Sequence, residues 1–316
     1  MHIINTLTPI IVLVGLGAIL RLAGFYENAF CRELNRLVYW VGVPCLLFSK
    51  TAQSTVPLDT AIRLFLCMSL VMVLGILLGY AGGWTLRLPG PSLGAFVQGA
   101  FRSNLVYVGL PVILFALATP GHPPEADIAS LAVLSVAPLI PLYNVVAVII
   151  LLLGQPRDST SWSRYLRRMF ISVVSNPLLI ACVAGLAYLL TGWTLPPVVE
   201  RSCSLIGQMA LPLALLSTGA SLSFSSLRGS MPATVVAAIL KIGVTPMLGF
   251  LLAPWFGLTG RELVIVLIYL ACPTAVVSFV MAEQLKADHL LTGNIILVTT
   301  ILSMPGLALI LLLASG

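Results

Sequence analysis

The sequence predicts an all-α integral membrane protein of ten transmembrane helices, arranged as two inverted five-helix repeats with helices four and nine broken near mid-span. Three observations lead there. Of the 316 residues, 59% are hydrophobic and only 8% charged, and the mean hydropathy of +1.09 lies well outside the range of soluble domains. Ten mostly apolar stretches of about 20 residues, the length that crosses a hydrocarbon core of about 30 Å, follow one another with short connections. Sliding the chain by 168 residues lays prolines on prolines and glycines on glycines. Such long continuous runs exclude an outer-membrane barrel, whose strands are short and alternate.

The segments run in order 6–23, 34–53, 61–86, 92–118, 128–153, 169–190, 203–221, 232–256, 261–284 and 290–315. No basic leader with a small-residue cleavage site precedes the first, so it reads as a retained helix rather than a signal peptide. The fourth is interrupted by "RSNLVYVGLP". Pro111 removes a backbone hydrogen bond, Gly109 weakens the same turn, and the helix is expected to fail just after Asn104. Unpaired backbone groups are costly in hydrocarbon unless protein or a watered cavity receives them, so the break marks a cavity. The ninth is interrupted at Pro273, which Cys272 and Thr274 flank and Ser278 follows.

The repeat places residues 1–153 in one five-helix half and 169–316 in the other, joined by a basic loop at 154–168. The 168-residue shift superposes Pro9 on Pro177 and Pro44 on Pro212. It also lays Gly17 on Gly185, Leu22 on Leu190, Gly24 on Gly192, Leu47 on Leu215, Ser49 on Ser217 and Ala52 on Ala220. Five helices per copy is an odd number, so the second copy enters the membrane from the opposite side. Inverted repeats recur in secondary transporters, whose substrate sites lie at the midplane where paired helices are discontinuous. Half-helix N-termini there offer free N–H groups and positive dipole ends to an anion.

Arg102 and Lys241 each lie about ten residues inside a segment, a depth of roughly 15 Å. Of the other basic residues, ten (Arg21, Arg32, Arg36, Arg87, Arg157, Arg164, Arg167, Arg168, Arg228 and Lys286) collect on one face. The opposite face has four, Lys50, Arg63, Arg201 and Arg261, which orients both termini outside. The loop "GQPRDSTSWSRYLRRM" then lies in the cytoplasm, and "TPGHPPEAD", which has no Lys or Arg, outside. A charge at helix centre costs about 2.5–3.5 kcal/mol on insertion scales, so Arg102 and Lys241 are expected to face a cavity or a partner. The acidic residue placed best inside a segment is Glu283, near the end of the ninth. The interior thus carries net positive charge, which favours a small anion and disfavours a carboxylate proton relay or carboxylate sodium site. Asn144, Asn176, Gln208, Gln284 and Asn294 read first as hydrogen bonds between helices.

Other functions find little support. The six cysteines lack C-x-x-C spacing and read as small core residues, and His2, His122 and His289 sit at loops or ends without metal-ligand spacing. The serine of "STGAS" at 217–221 has no buried histidine, and no P-loop, H-E-x-x-H or dinucleotide fingerprint occurs. No catalytic residue, metal or cofactor is expected. The net charge of +6 is accounted for by topology rather than by nucleic-acid binding.

The stretches "LTPIIVLVGLGAILRLAGFYENAFCRELNRLVYWVGVPCLLFSK", "NLVYVGLPV", "NPLLIACVAGLAYLLTG", "LPLALLSTGASL" and "CPTAVVSFVMAEQ" resemble the auxin efflux carrier family. That family holds the plant PIN-FORMED auxin exporters and bacterial relatives, some described as malonate carriers. The short central loop resembles the bacterial branch. The sequence departs from the family pattern N-x-L-V-x-G-[IL]-P in that Leu105 directly follows Asn104. The resemblance implies an architecture like that of bile-acid symporters and NhaA. A scaffold of helices 1, 2, 6 and 7 holds a transport domain of helices 3–5 and 8–10, the whole commonly forming a homodimer. It implies Asn104 at the substrate site and Pro111 and Pro273 at the crossover. Together with the charges, the expected substrate-binding set is Asn104, Arg102, Lys241, Thr274 and Ser278, and the crossover set Gly109, Pro111 and Pro273. The expected function is elevator-like alternating-access transport of a small organic anion across a bacterial inner membrane. A membrane-embedded ligand sensor or structural partner on a transporter scaffold and a sodium-coupled organic-anion symporter are the alternatives.

Overall fold

The computed structural model describes residues 2–54, 57–116, 126–155, 171, 174–220 and 231–314. Nearly all of the basic loop at 154–168, most of "TPGHPPEAD" and His122 lie outside the described residues. The described secondary structure is helical, without strands apart from one isolated bridge between Ser103 and Thr274. Among the described residues five stretches are long and apolar enough to cross a membrane: Leu58–Thr85, Ile128–Leu153, Pro197–Ala220, Met231–Phe256 and His289–Leu313. The fourth and ninth hydrophobic segments are absent from this set because each is cut in two.

In chain order the helices are α1 (His2–Leu22), α2 (Asn28–Leu37), α3 (Val43–Ala52), α4 (Leu58–Thr85), α5 (Gly90–Phe101), α6 (Leu110–Ala116), α7 (Ala126–Val136) and α8 (Leu139–Leu153). They continue as α9 (Pro177–Leu190), α10 (Pro197–Ala220), α11 (Met231–Ala238), α12 (Thr245–Leu252), α13 (Gly260–Ala271), α14 (Val277–Gln284) and α15 (His289–Ala314). Widened π-helical turns occupy Val38–Gly42, Leu105–Gly109 and Ile239–Val244. Each is followed two residues later by a proline, Pro44, Pro111 and Pro246. A proline withholds the N–H that would reach back one turn and crowds the carbonyl there. Widening the preceding turn relieves both problems without breaking the rod.

The chain divides into two compact units. The first comprises Met1–Ile62, Val106–Pro141 and Arg167–Ser221, and the second Arg63–Leu105, Leu142–Leu166 and Leu222–Gly316. In the first, α3 packs on α9 and α10, and α1 packs on α10. Without water to drive them together, helices in lipid associate by close packing of small residues. Gly17 shows this directly: a Cβ there would collide with the carbonyl of Leu216, and one at Gly185 would meet the carbonyl of Phe48. The 168-residue shift carries the first of these pairs onto the second. It also carries Gly42 onto Ala210, which touch one another. Gly24 (φ +74°) and Gly192 (φ +70°) end their helices in the same left-handed conformation, which glycine adopts without strain.

The second unit holds α4, α5, the rest of α8, and α11 to α15. Here α11 and α5 pack on α15, while α13 packs on α12 and α15. A capping box starts α13, the Thr259 side chain accepting from the Glu262 N–H and the Glu262 carboxylate from the Thr259 N–H. Phe96, Phe101 and Tyr269 fill the interior of this unit.

Candidate functional site

The site is built where α5 and α13 stop. Cys272 ends α13 in an extended conformation (φ −59°, ψ 148°) because it precedes Pro273, whose ring clashes with a helical neighbour. Arg102 ends α5 in the same way (φ −82°, ψ 107°), with no proline after it. The two extended stretches pair. The Asn104 N–H donates to the Pro273 carbonyl at 2.8 Å, the Ala275 N–H donates to the Arg102 carbonyl at 3.2 Å, and Ser103 faces Thr274 across the bridge. Backbone groups freed by the breaks thus satisfy one another, as groups removed from water must.

Thr274 locks the crossing. Its hydroxyl donates to the Gly99 carbonyl at 2.7 Å in the last turn of α5, and its N–H donates to Thr299 Oγ1 on α15 at 3.1 Å. Both cations stand at helix C-termini. Lys241, fully buried, donates from Nζ to the Leu270 carbonyl at 2.5 Å, in the last turn of α13. Arg102 caps α5 itself, and its buried guanidinium donates to Asn144 Oδ1 of α8 and to Met281 Sδ of α14. The C-terminal end of α13 presents a partial negative charge there, which Lys241 meets, while the Arg102 guanidinium reaches from the end of α5 to α8 and α14.

Arg102, Asn104, Pro273 and Thr274 therefore come together, with Lys241 joined through Leu270. Ser278 lies in the first turn of α14 and is fully buried. Gly109 and Pro111 follow the crossing in the chain: Gly109 closes the π-helical turn and Pro111 is the second residue of α6. Ser103, Thr299, Gly99 and Met281 were not foreseen. Nothing in their local sequence marks them: Ser103, Gly99 and Met281 find their partners more than 170 residues away, and Thr299 receives the Thr274 N–H from a separate helix. Asn144 does bond between helices, to a cation. Asn176 caps α9 by accepting from the Leu178 and Leu179 N–H groups. Gln208 donates to Ser204, and Gln284 is exposed. Among the described residues no cluster of His, Cys, Asp and Glu could hold a metal ion.

Residues 2–311 match the model of a family described as membrane transport protein. The chain belongs to that family. It is the family whose motifs the sequence resembles. An uncharacterised transporter of Methanocaldococcus jannaschii is 23% identical over 309 residues, covering 95% of each chain. A second, from Methanothermobacter thermautotrophicus, is 25% identical over 310 residues and 96% of each chain. Family membership and the relatives' names point to a transporter in a membrane rather than to an enzyme.

Proposed function

We propose that this family member is a secondary carrier of a small organic anion, and that the anion binds beside the α5–α13 crossing. The observation that carries this reading is the distribution of charge at the crossing. Two buried cations, Lys241 and Arg102, stand at the crossing, and the positive dipole end of α14 begins beside them. Asn104 contributes a side-chain amide on the strand that pairs with Pro273.

Ten spans in two inverted repeats underlie the proposed mechanism. Matched left-handed glycines at Gly24 and Gly192, and the exchange of the Gly17–Leu216 contact for Gly185–Phe48 under one sequence shift, support that repeat. In this mechanism the second unit carries the crossing and moves as a rigid body relative to the first, exposing the anion to each side in turn. Both termini face outward from a bacterial inner membrane.

Current across a supported membrane bearing the purified protein tests the reading, with small mono- and dicarboxylates as probes. A saturable current lost in Asn104→Ala is the expected result. Neither current nor ligand-dependent thermal stabilisation with any carboxylate would overturn it.

A further inference from the structure

Three buried polar side chains of the second unit are unused by the crossing. Both amide atoms of Gln98, both of Asn294 and the hydroxyl of Ser278 have no hydrogen-bonding partner among the described residues. All three residues are 0–1% exposed. Buried polar groups are nearly always satisfied, and leaving an amide unpaired in an apolar interior costs more than most single interactions contribute.

They stand at one level of three packed helices. Along α14 and its approach, the Ala275 N–H bonds the Arg102 carbonyl and the Asp288 N–H bonds the Pro91 carbonyl, so this stretch runs antiparallel to α5. That register sets Ser278 opposite Gln98. On α15, Ser92 donates to Asp288 while Ile295 fills the space left by Gly99, so α15 runs parallel to α5 and sets Asn294 level with Gln98. The Arg102 guanidinium, one turn beyond Gln98 on the same face, closes the group through Met281.

We propose that Gln98, Ser278 and Asn294 form an occluded subsite for an oxyanion, the second charged group of the transported solute. The sign of the nearest charge decides the class of ligand. Two amide NH2 groups and a hydroxyl are donors suited to carboxylate oxygens, and the positive charge of Arg102 attracts an anion and repels a metal cation. The inference rests on the anion-carrier reading and extends it: a solute with two oxyanion groups is held at both places, one with a single group only at the crossing. A free inorganic oxyanion has the same chemistry.

Ligand-dependent thermal stabilisation of the purified full-length protein tests this, with succinate, its monoamide and sulfate as probes on wild type, Gln98→Leu and Asn294→Leu. In wild type, succinate is expected to bind at least tenfold more tightly than the monoamide. Both variants should collapse that ratio to about one, with monoamide affinity unchanged. Stabilisation by sulfate alone, lost in both variants and with no advantage for succinate, would assign the same subsite to a free inorganic anion. Without ligand the leucine variants should melt at or above the wild-type temperature, since each replaces an unpaired amide; a fall would show that the amides bond within the fold and overturn the subsite. Gln98→Met, closer in shape, supplies the same comparison should a leucine variant fail to fold. Equal binding of succinate and monoamide in wild type, without sulfate binding but with both lost in Asn104→Ala, sinks the subsite and leaves the carrier reading intact. Absence of stabilisation by all three probes sinks both.

Discussion

At the residue scale, the position of a buried charge matters less than what it faces. Lys241 sits at depth without a carboxylate because a helix C-terminus serves in its place, through the Leu270 carbonyl. Lys241→Met leaves that carbonyl without its donor, which costs about 1–3 kcal/mol for a buried acceptor. The expected outcome is a lower melting temperature and a maximal current reduced at least tenfold. Apparent affinity for the anion should change less than threefold, because the lysine positions the crossing rather than holding the solute. A parallel loss of affinity in current titrations would place Lys241 on the substrate instead. Asn104→Ala should behave oppositely. Its backbone bond to Pro273 survives the substitution, so thermal stability should stay within about 1 kcal/mol, while anion affinity falls. That Asn104, Arg102 and Lys241 are unusual is visible in the sequence, since polar groups at mid-span demand an explanation. Their partners are not, because a carbonyl acceptor such as that of Leu270 has no residue signature.

At the scale of the element, the interruptions rather than the helices are informative. Pro273 marks its own break, because the residue before a proline is forced out of the helical region and Cys272 complies. Pro111 marks a widened turn instead, and the break of α5 comes earlier, at Arg102 to Asn104, where the opposing strand supplies the hydrogen bonds. A local rule therefore locates one interruption at its proline and sets the other, expected just after Asn104, slightly late. Thr274→Val, nearly isosteric, removes only the hydroxyl that ties the crossing to Gly99, and should lower stability by about 1–2 kcal/mol in chemical or thermal unfolding. Helix contacts allow a sharper comparison. Gly17→Ala drives a methyl group into the Leu216 backbone and should cost about 3 kcal/mol or more. Gly15→Ala, with open space around it, should be neutral or stabilise by up to about 1 kcal/mol. Equal effects of the two on melting temperature would contradict the close approach of α1 and α10.

For the whole molecule, the uneven distribution of basic residues makes an orientation testable without any knowledge of substrate. Phosphatase fused to the C-terminus should be active when exported, and a fluorescent reporter that folds only in the cytoplasm should stay dark there; the reverse pattern would invert the topology. By itself the sequence determined that the protein is helical and membrane-embedded, and that its glycines and prolines repeat. All of these follow from composition and spacing along one dimension, since a bilayer demands apolar rods of fixed length. Only the tertiary structure decided that Arg102 to Asn104 pair with Pro273 to Ala275, that Thr274 bolts α5 to α15, and that α5, α14 and α15 pack in a register that sets Gln98, Ser278 and Asn294 at about one level. The contacts of the crossing join residues some 170 positions apart and the others join separate helices, so they are set by where helices end and how closely their backbones approach, which no local pattern of residues encodes.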